Sequence, residues 1–390
     1  MKTLSALCAL LALFALTMSR SFAAPEPFEI NLMISQTGAA AFLGQKQVES
    51  YTILQNLVNR DGGIRGRPLK FVFHDDQSSP QTGLQIANDL IAKKVPVIIG
   101  SSFAQVCAAV APLVRENGPV LYCLSPGIHP VAGGYVFASS VGTRDMAGVF
   151  LRFLREHHWE RIAVITSTDQ TGQDFEGALN SMLAAHENAS FSVVAREHFA
   201  PNDITVSAQM ARIKAANPQA VFAWSAGTPF GTLLRGIQEA GLELPVLGSN
   251  GNMIFAQLAQ YAQFMPNQMY FPGTTALAPG TIKAGPIADK QAAFFAAFKA
   301  AGIRPDNPNN TAWDPASLVI DAFRKLGTGA TAQQIRDYIR GQHGWTGINA
   351  VYDFSDAEQR GIGGYAIVVY RWDAKRAAFI PMSRPGGGLP

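Results

Sequence analysis

No stretch of this sequence is both long and apolar enough to cross a bilayer, which takes about 20 consecutive residues; the N-terminal run Leu4 to Leu16 falls short. Charge is sparse, 15% of residues, and nearly balanced at +3, so nothing points to a nucleic acid or other polyanion as partner. Cysteine is sparser still, 3 in 390 residues, with no Cys-x-x-Cys pair, which removes the usual zinc and dithiol signatures. There is no Gly-x-Ser-x-Gly elbow and no His-Glu-x-x-His, and Gly-x-Gly-x-x-Gly is missing between the first strand and the first helix. His157 and His158 adjoin, so on a helix they point about 100° apart and cannot chelate one ion as an i, i+4 pair would. These absences exclude the common hydrolase, metalloenzyme and dinucleotide-enzyme patterns, and the expectation is a protein that is no enzyme and uses no cofactor or metal.

What is present begins with an export leader: Lys2 is the positive end, Leu4 to Leu16 the apolar run, and Ser21-Phe22-Ala23 the small-x-small cleavage pattern. Residues 1–23 are expected to be removed, Lys2 and Arg20 with them, leaving a periplasmic protein. Cys8 lies inside the apolar run rather than at the cleavage site, which favours free diffusion over a lipid anchor. The remaining chain is 48% hydrophobic when counted over the whole sequence, enough to fill two domain cores. Cys107 and Cys123 stay in a compartment where disulfides persist, but spacing alone leaves open whether they meet.

The pattern of the chain is alternation. An apolar run from Phe28 to Ser35 leads through a glycine-marked loop to helical spacing over Gln45–Arg60, and the unit recurs to Leu124 through strand-like runs at Leu69–His74, Val97–Ile99 and Val120–Leu124. A second series starts after Asp145, with strands expected at Arg161–Thr166, Ser190–His198, Ala220–Trp224 and Val246–Gly248 between helices. Helices are expected at Asp289–Ala301, Pro315–Leu326 and Ala332–Arg340, then a pair of strands near Tyr365–Trp372, and a flexible tail over 386–390. This predicts an α/β fold: two doubly wound parallel-sheet lobes, repeated in architecture rather than in sequence, with a ligand cleft between them. Gly62-Gly63 after the first helix reads as a left-handed helix stop. Asp75-Asp76 at a strand end reads as a turn or helix-capping pair, with a ligand or metal pair as the alternative.

Several motifs stand in a specific order: Thr37-Gly38 with Gly44, Asn59-Arg60-Asp61-Gly62-Gly63-Ile64-Arg65-Gly66, Asp75-Asp76 before Pro80, and Val97-Ile98-Ile99-Gly100. Ser125-Pro126, Asp169 with Gly172, Asn202-Asp203, and Gly344-Trp345-Thr346-Gly347 before Tyr352-Asp353-Phe354 follow. In this series the chain resembles the periplasmic leucine/isoleucine/valine-binding proteins and their relatives, type I solute receptors of ABC importers. The resemblance implies a three-segment hinge near 142–145, 270–274 and 360–368, with one lobe from 25–142 and 274–364 and the other from 143–273 and 365–385. It also implies a monomer that closes on a small molecule and is read by an inner-membrane ABC permease.

The chemistry of the expected site starts at Ile99-Gly100-Ser101-Ser102-Phe103-Ala104-Gln105, where a buried strand ends and a helix opens. Backbone N–H groups there lack intrahelical partners, and with the positive end of the helix dipole they would hold a carboxylate without a basic side chain. The competing reading makes Ser101 and Ser102 helix caps and Phe103 a core residue. In the family this turn often carries a hydroxyl residue where Ala104 aligns. Ser102, Phe103, Ala104 and Gln105 are the candidates here, and Ile128, after the next strand, is one by analogy; His129 is a weaker one.

From the second lobe, Thr171 stands where the family usually has a tyrosine. Gly227 and Thr228 replace a tyrosine-bearing region, and Asn250 aligns with an acidic residue that pairs with the ligand's α-ammonium. Phe42, Leu43 and Trp313 are expected as lining. These departures predict a small carboxylate without a required α-ammonium, an aromatic acid favoured. Branched-chain or other amino-acid binding is the alternative, as is presentation of the closed form to a chemoreceptor or sensor kinase.

Overall fold

The computed structural model describes residues 25–278, 280–355 and 358–390; the expected leader, with Cys8, lies outside them. Two sheets organise the chain. The first is fully parallel, with strands β1 (Phe28–Ile34), β2 (Leu69–Asp75), β3 (Val97–Gly100), β4 (Val120–Cys123) and β5 (Val136–Ala138) in the order β2-β1-β3-β4-β5. Its central strands are apolar runs buried along their whole length, as at Val97-Ile98-Ile99-Gly100, because helices cover both faces of a parallel sheet. Helices α1 (Ala41–Arg60), α2 (Pro80–Ala92) and α3 (Ala104–Val114) make the crossovers.

The second series is α4 (Thr143–Glu156), β6 (Arg161–Ser167), α5 (Gln170–Leu183), β7 (Ser192–Phe199), α6 (Ser207–Ala215), β8 (Ala220–Trp224), α7 (Pro229–Glu239), β9 (Val246–Leu247), α8 (Phe255–Gln260) and β10 (Met269–Thr274). Past β10 the chain returns to the first sheet with α9 (Pro286–Ala300), α10 (Asn307–Leu326), α11 (Ala332–Arg340) and the hairpin β11 (His343–Thr346) and β12 (Val351–Asp353). Packing of α10 against α1 fixes this return, with Phe28 and Phe323 edge to face at 4.6 Å. Strands β13 (Ile367–Asp373) and β14 (Ala378–Pro381) then join the second sheet, whose order is β14-β13-β10-β9-β8-β6-β7. Among the described residues, β13 pairs antiparallel with both β10 and β14, and the other pairs of this sheet are parallel. The chain therefore passes from one sheet to the other three times: before α4, after β10, and between β12 and β13.

Three expectations are corrected. The helix expected from Pro315 begins at Asn307, since Asp306 and Asn309 form a reciprocal capping box and Pro308 sits in the first turn. Pro315 lies inside the helix. The hairpin β11–β12 and the short β5 were not foreseen, and the hairpin's connecting turn is held by Asp314 of α10, which accepts from Ile348 N (2.8 Å), Asn349 N (3.0 Å) and the Tyr352 hydroxyl (2.8 Å). The tail over 386–390 is docked: Gly386 N donates to Ile367 O (2.8 Å) and Leu389 N to Glu156 Oε2 (2.7 Å). Gly387, at φ +87°, lies against Val149 where a Cβ would crowd the helix carbonyl.

Cys107 of α3 and Cys123 at the end of β4 form a disulfide, their Cα atoms 6.2 Å apart. With its ends 16 positions apart in sequence, the bridge should contribute about 3 kcal/mol by restricting the unfolded chain. The Cys107→Ala/Cys123→Ala double variant should lose that amount in urea denaturation, and reduction of the native protein should reproduce the loss.

Candidate ligand cleft

The first wall of the cleft is built where β3 turns into α3. Gly100 has φ +116°, and a Cβ there would overlap the Met33 carbonyl oxygen of β1, so only glycine lets the two strands approach at this turn. Behind the turn, Ser35 Oγ donates to Asp76 Oδ1 (2.6 Å) and lies 3.3 Å from Ser101 Oγ. Ser35's hydrogen is spent on Asp76, so Ser101 directs its own hydrogen back toward that pair and accepts from Phe103 N (3.2 Å). Ser101 thus braces the turn rather than capping the helix; Phe103 is the N-cap residue and offers no side-chain cap. Ala104 and Gln105 occupy the first turn, where N–H groups have no intrahelical acceptor.

Ser102 donates through its hydroxyl to Gln47 Oε1 (3.1 Å). Gln47 is fully buried, and its Nε2 has no partner among the described residues. Rotating this amide by half a turn would let Nε2 donate to Ser102 Oγ and free the serine hydrogen for a ligand anion. Asp75 and Asp76 take the turn role: Asp75 accepts from Gln36 N (2.9 Å) and Gln77 N (2.9 Å), and Asp76 from Ser78 N (2.8 Å). Burial raises the Asp76 pKa against the hydrogen bonds from Ser35 and Ser101.

The cleft has about 580 Å³ of empty space, counting that open to solvent at its mouth. Of the expected residues, Leu43, Ser102, Phe103, Ala104, Thr171 and Asn250 line it. Phe42, Gln105, Ile128, Gly227 and Thr228 do not. Phe42 neighbours Leu43 on α1 and so points about 100° away from it. Ile128 is buried beside the disulfide, while its carbonyl accepts from Arg360 Nη2 (2.6 Å). Trp313 packs against Phe294 and Phe298, at ring distances of 4.9 and 5.9 Å.

Sequence reasoning missed Trp224, Asp174, Ser140, Thr143, Asn307 and Thr311, all of which line the cleft. Trp224 ends β8 and stacks on Phe175 at 3.9 Å and 11°. Its position at the carboxyl end of a parallel strand was a usable signal. Asn307 and Thr311 arrive from the opening of α10, and no local pattern announces them.

Polar contacts close the cleft. Thr228 N donates to Ala39 O (3.3 Å), Asn250 Nδ2 to Ser140 Oγ (3.2 Å), Asn307 Nδ2 to Asn250 O (3.0 Å), and Phe255 N to Asp306 Oδ1 (2.9 Å). His129 Nε2 meets Asp174 Oδ1 at 2.5 Å, and that hydrogen bond raises the His129 pKa. Asp306 is almost fully buried, and burial pushes its pKa up to about 7 against the hydrogen bond from Phe255 and the charge of Lys46. A carboxyl raised on folding keeps a proton that the unfolded chain has released, so its contribution is complete below about pH 4 and is lost as pH rises toward 7. Relative to Asp306→Asn, the native chain should lose stability across that window, at no more than about 1.4 kcal/mol per pH unit. Chemical denaturation of both proteins at pH 4, 5.5 and 7 measures the difference.

The family model described as "Periplasmic binding protein" matches residues 27–377. A Leu/Ile/Val-binding protein homolog from Brucella melitensis is 24% identical over 61% of this chain, and the match spans 65% of the relative's own length. An extracellular ligand-binding receptor from Rhodopseudomonas palustris HaA2 superposes with a TM-score of 0.80 at 22% identity, covering 91% of this chain and 99% of the other. A solute-binding protein of an ABC transporter from R. palustris, solved in complex with benzoate, superposes with a TM-score of 0.76 at 17% identity, covering 93% of this chain and 96% of the other. The chain belongs to the periplasmic binding protein family.

Proposed function

We propose that this protein is a periplasmic receptor of an ABC importer that captures a small organic carboxylate between its lobes, an aromatic acid favoured. The observation that carries the reading is the turn into α3, where the Ala104 amide stands without an intrahelical acceptor beside Ser102. Among the described residues no Lys or Arg side chain lines the cleft, so the ligand's negative charge would be met by amides and the helix dipole. Leu43, Phe103, Leu124 and Trp224 supply apolar walls for a hydrocarbon body. The benzoate bound by the R. palustris neighbour is a ligand of this kind.

Closure would deliver the loaded form to a permease, since a ligand touching both walls favours the state in which both are within reach. The relative's name favours a second reading, binding of Leu, Ile or Val; Asn250 offers no charge to an ammonium, so Asp174 would be the cleft carboxyl that meets it. Calorimetry and melting curves with benzoate, hydroxybenzoates, benzamides and leucine separate the readings. The acids should bind at least about tenfold more tightly than the neutral benzamides, with stabilisation of about 2.7 kcal/mol at a hundredfold excess over Kd. Tight binding of leucine alone would sink the proposal.

A further inference from the structure

We infer that Asp174 selects a ligand with a second polar group: an acid whose far side carries a hydroxyl or amine that donates a hydrogen bond to Asp174 Oδ2. This rests on the carboxylate reading above and adds to it.

The Asp174 side chain is 7% exposed. Its two oxygens have different fates. Oδ1 is taken by His129 at 2.5 Å, on the outer flank of the cleft that Arg144 and Glu358 share. Oδ2 is buried and has no partner among the described residues. It lies over Gly127, where a Cβ would come within 3.1 Å of it; both Asp174 and Gly127 line the cleft. The absent side chain at 127 thus leaves this oxygen a face toward the ligand space.

Among the described residues no donor reaches that oxygen. The N–H of Gly127, the residue that lies under this oxygen, is spent on Ser125 Oγ (3.3 Å). Arg360, which reaches the same loop, is held by the carbonyls of Pro126 (3.2 Å) and Ile128 (2.6 Å). A buried carboxylate oxygen without a donor is costly, and such orphans in native structures call for an explanation. A donor delivered from outside the protein supplies one: water when the cleft is empty, the solute's own group when it is filled. The two ends of the ligand would then be read by opposite lobes, the carboxylate by α3 and the donor by α5. Binding both ends requires the closed cleft.

The test is a matched series on the full mature chain: benzoate, 3- and 4-hydroxybenzoate, 3- and 4-aminobenzoate, and the corresponding neutral benzamides, titrated by calorimetry into the native protein, Asp174→Ala and His129→Gln. At least one donor-bearing acid should bind the native protein about tenfold to a hundredfold more tightly than benzoate, the range expected for a hydrogen bond to a charged group. Asp174→Ala should reduce that preference to threefold or less, with its fold checked by circular dichroism. His129→Gln, which removes the flank contact and leaves Asp174, should keep the preference while weakening all the acids alike. Equal binding of benzoate and its substituted forms, a preference that survives Asp174→Ala, or its loss in His129→Gln would overturn this assignment and leave the carboxylate reading standing. Benzamides binding as well as the acids, or no binding across the series, would overturn both.

Discussion

Replacing Gly227 with alanine should weaken ligand binding by about a hundredfold and suppress the contraction that ligand induces, while both lobes still fold. Gly227 has φ +75°, so alanine would cost about 1–2 kcal/mol of local strain wherever the lobes stand. The larger effect arises only in the closed form, where a Cβ on residue 227 would overlap the Ala39 carbonyl oxygen of the facing lobe. The adjacent Thr228 N–H donates to that same oxygen at 3.3 Å. To relieve the overlap the lips must part, and every 1.4 kcal/mol lost from the closed state costs a factor of ten in affinity. Gly241→Ala is the control. That glycine also has positive φ, +62°, but a Cβ there would meet only Lys214 Nζ at 3.8 Å. It should lose comparable stability and keep its affinity. Calorimetry with X-ray scattering reads both effects, and equal affinity losses in the two variants would show strain, not contact, to be the cause.

Arg360→Met should lower the unfolding free energy by about 3–5 kcal/mol, the usual consequence of removing one member of a buried polar network. Arg360 is 1% exposed and lies in the third passage between the sheets. Its guanidinium donates to the carbonyls of Ser140, Pro126 and Ile128, and Glu358 Oε2 lies 3.6 Å from its Nε. Its charge also opposes the upward pKa shift that burial imposes on Asp145. Methionine keeps most of the volume and none of the donors, so three carbonyls and a half-buried carboxyl would lose their partner together. Ser140 and the 126–127 loop line the cleft, so affinity should fall with stability. A urea-denaturation difference below about 1 kcal/mol would contradict this account of the network.

Much of the architecture was legible because parallel strands announce themselves. Runs such as Val97-Ile98-Ile99-Gly100 are buried on both faces and need no polar alternation. The strand ends were legible for the same reason, which is why the turn at Ser102–Ala104 was found at the cleft, whereas Thr171 and Asn250 were reached through the family resemblance. Residues that reach the site by packing of distant segments were not legible. Asn307 and Thr311 depend on where α10 starts, and Pro315 gave a misleading start because the Asp306–Asn309 box is polar and unobtrusive in sequence. Asp174 reads as an ordinary helix-surface acid until Gly127 and His129 are brought beside it. The docked tail was misread because its glycines look like a flexible end, whereas at 386 and 387 they supply the positive φ that lets the chain lie on α4.

The contacts that join the lobes through Thr228 and Ala39, Asn250 and Ser140, and Asn307 and Asn250 are all between uncharged groups. Mobile ions screen charges and leave neutral hydrogen bonds nearly untouched. Raised salt would therefore weaken the His129–Asp174 contact on the flank of the cleft and leave the neutral lips at Thr228 and Ala39 nearly unchanged.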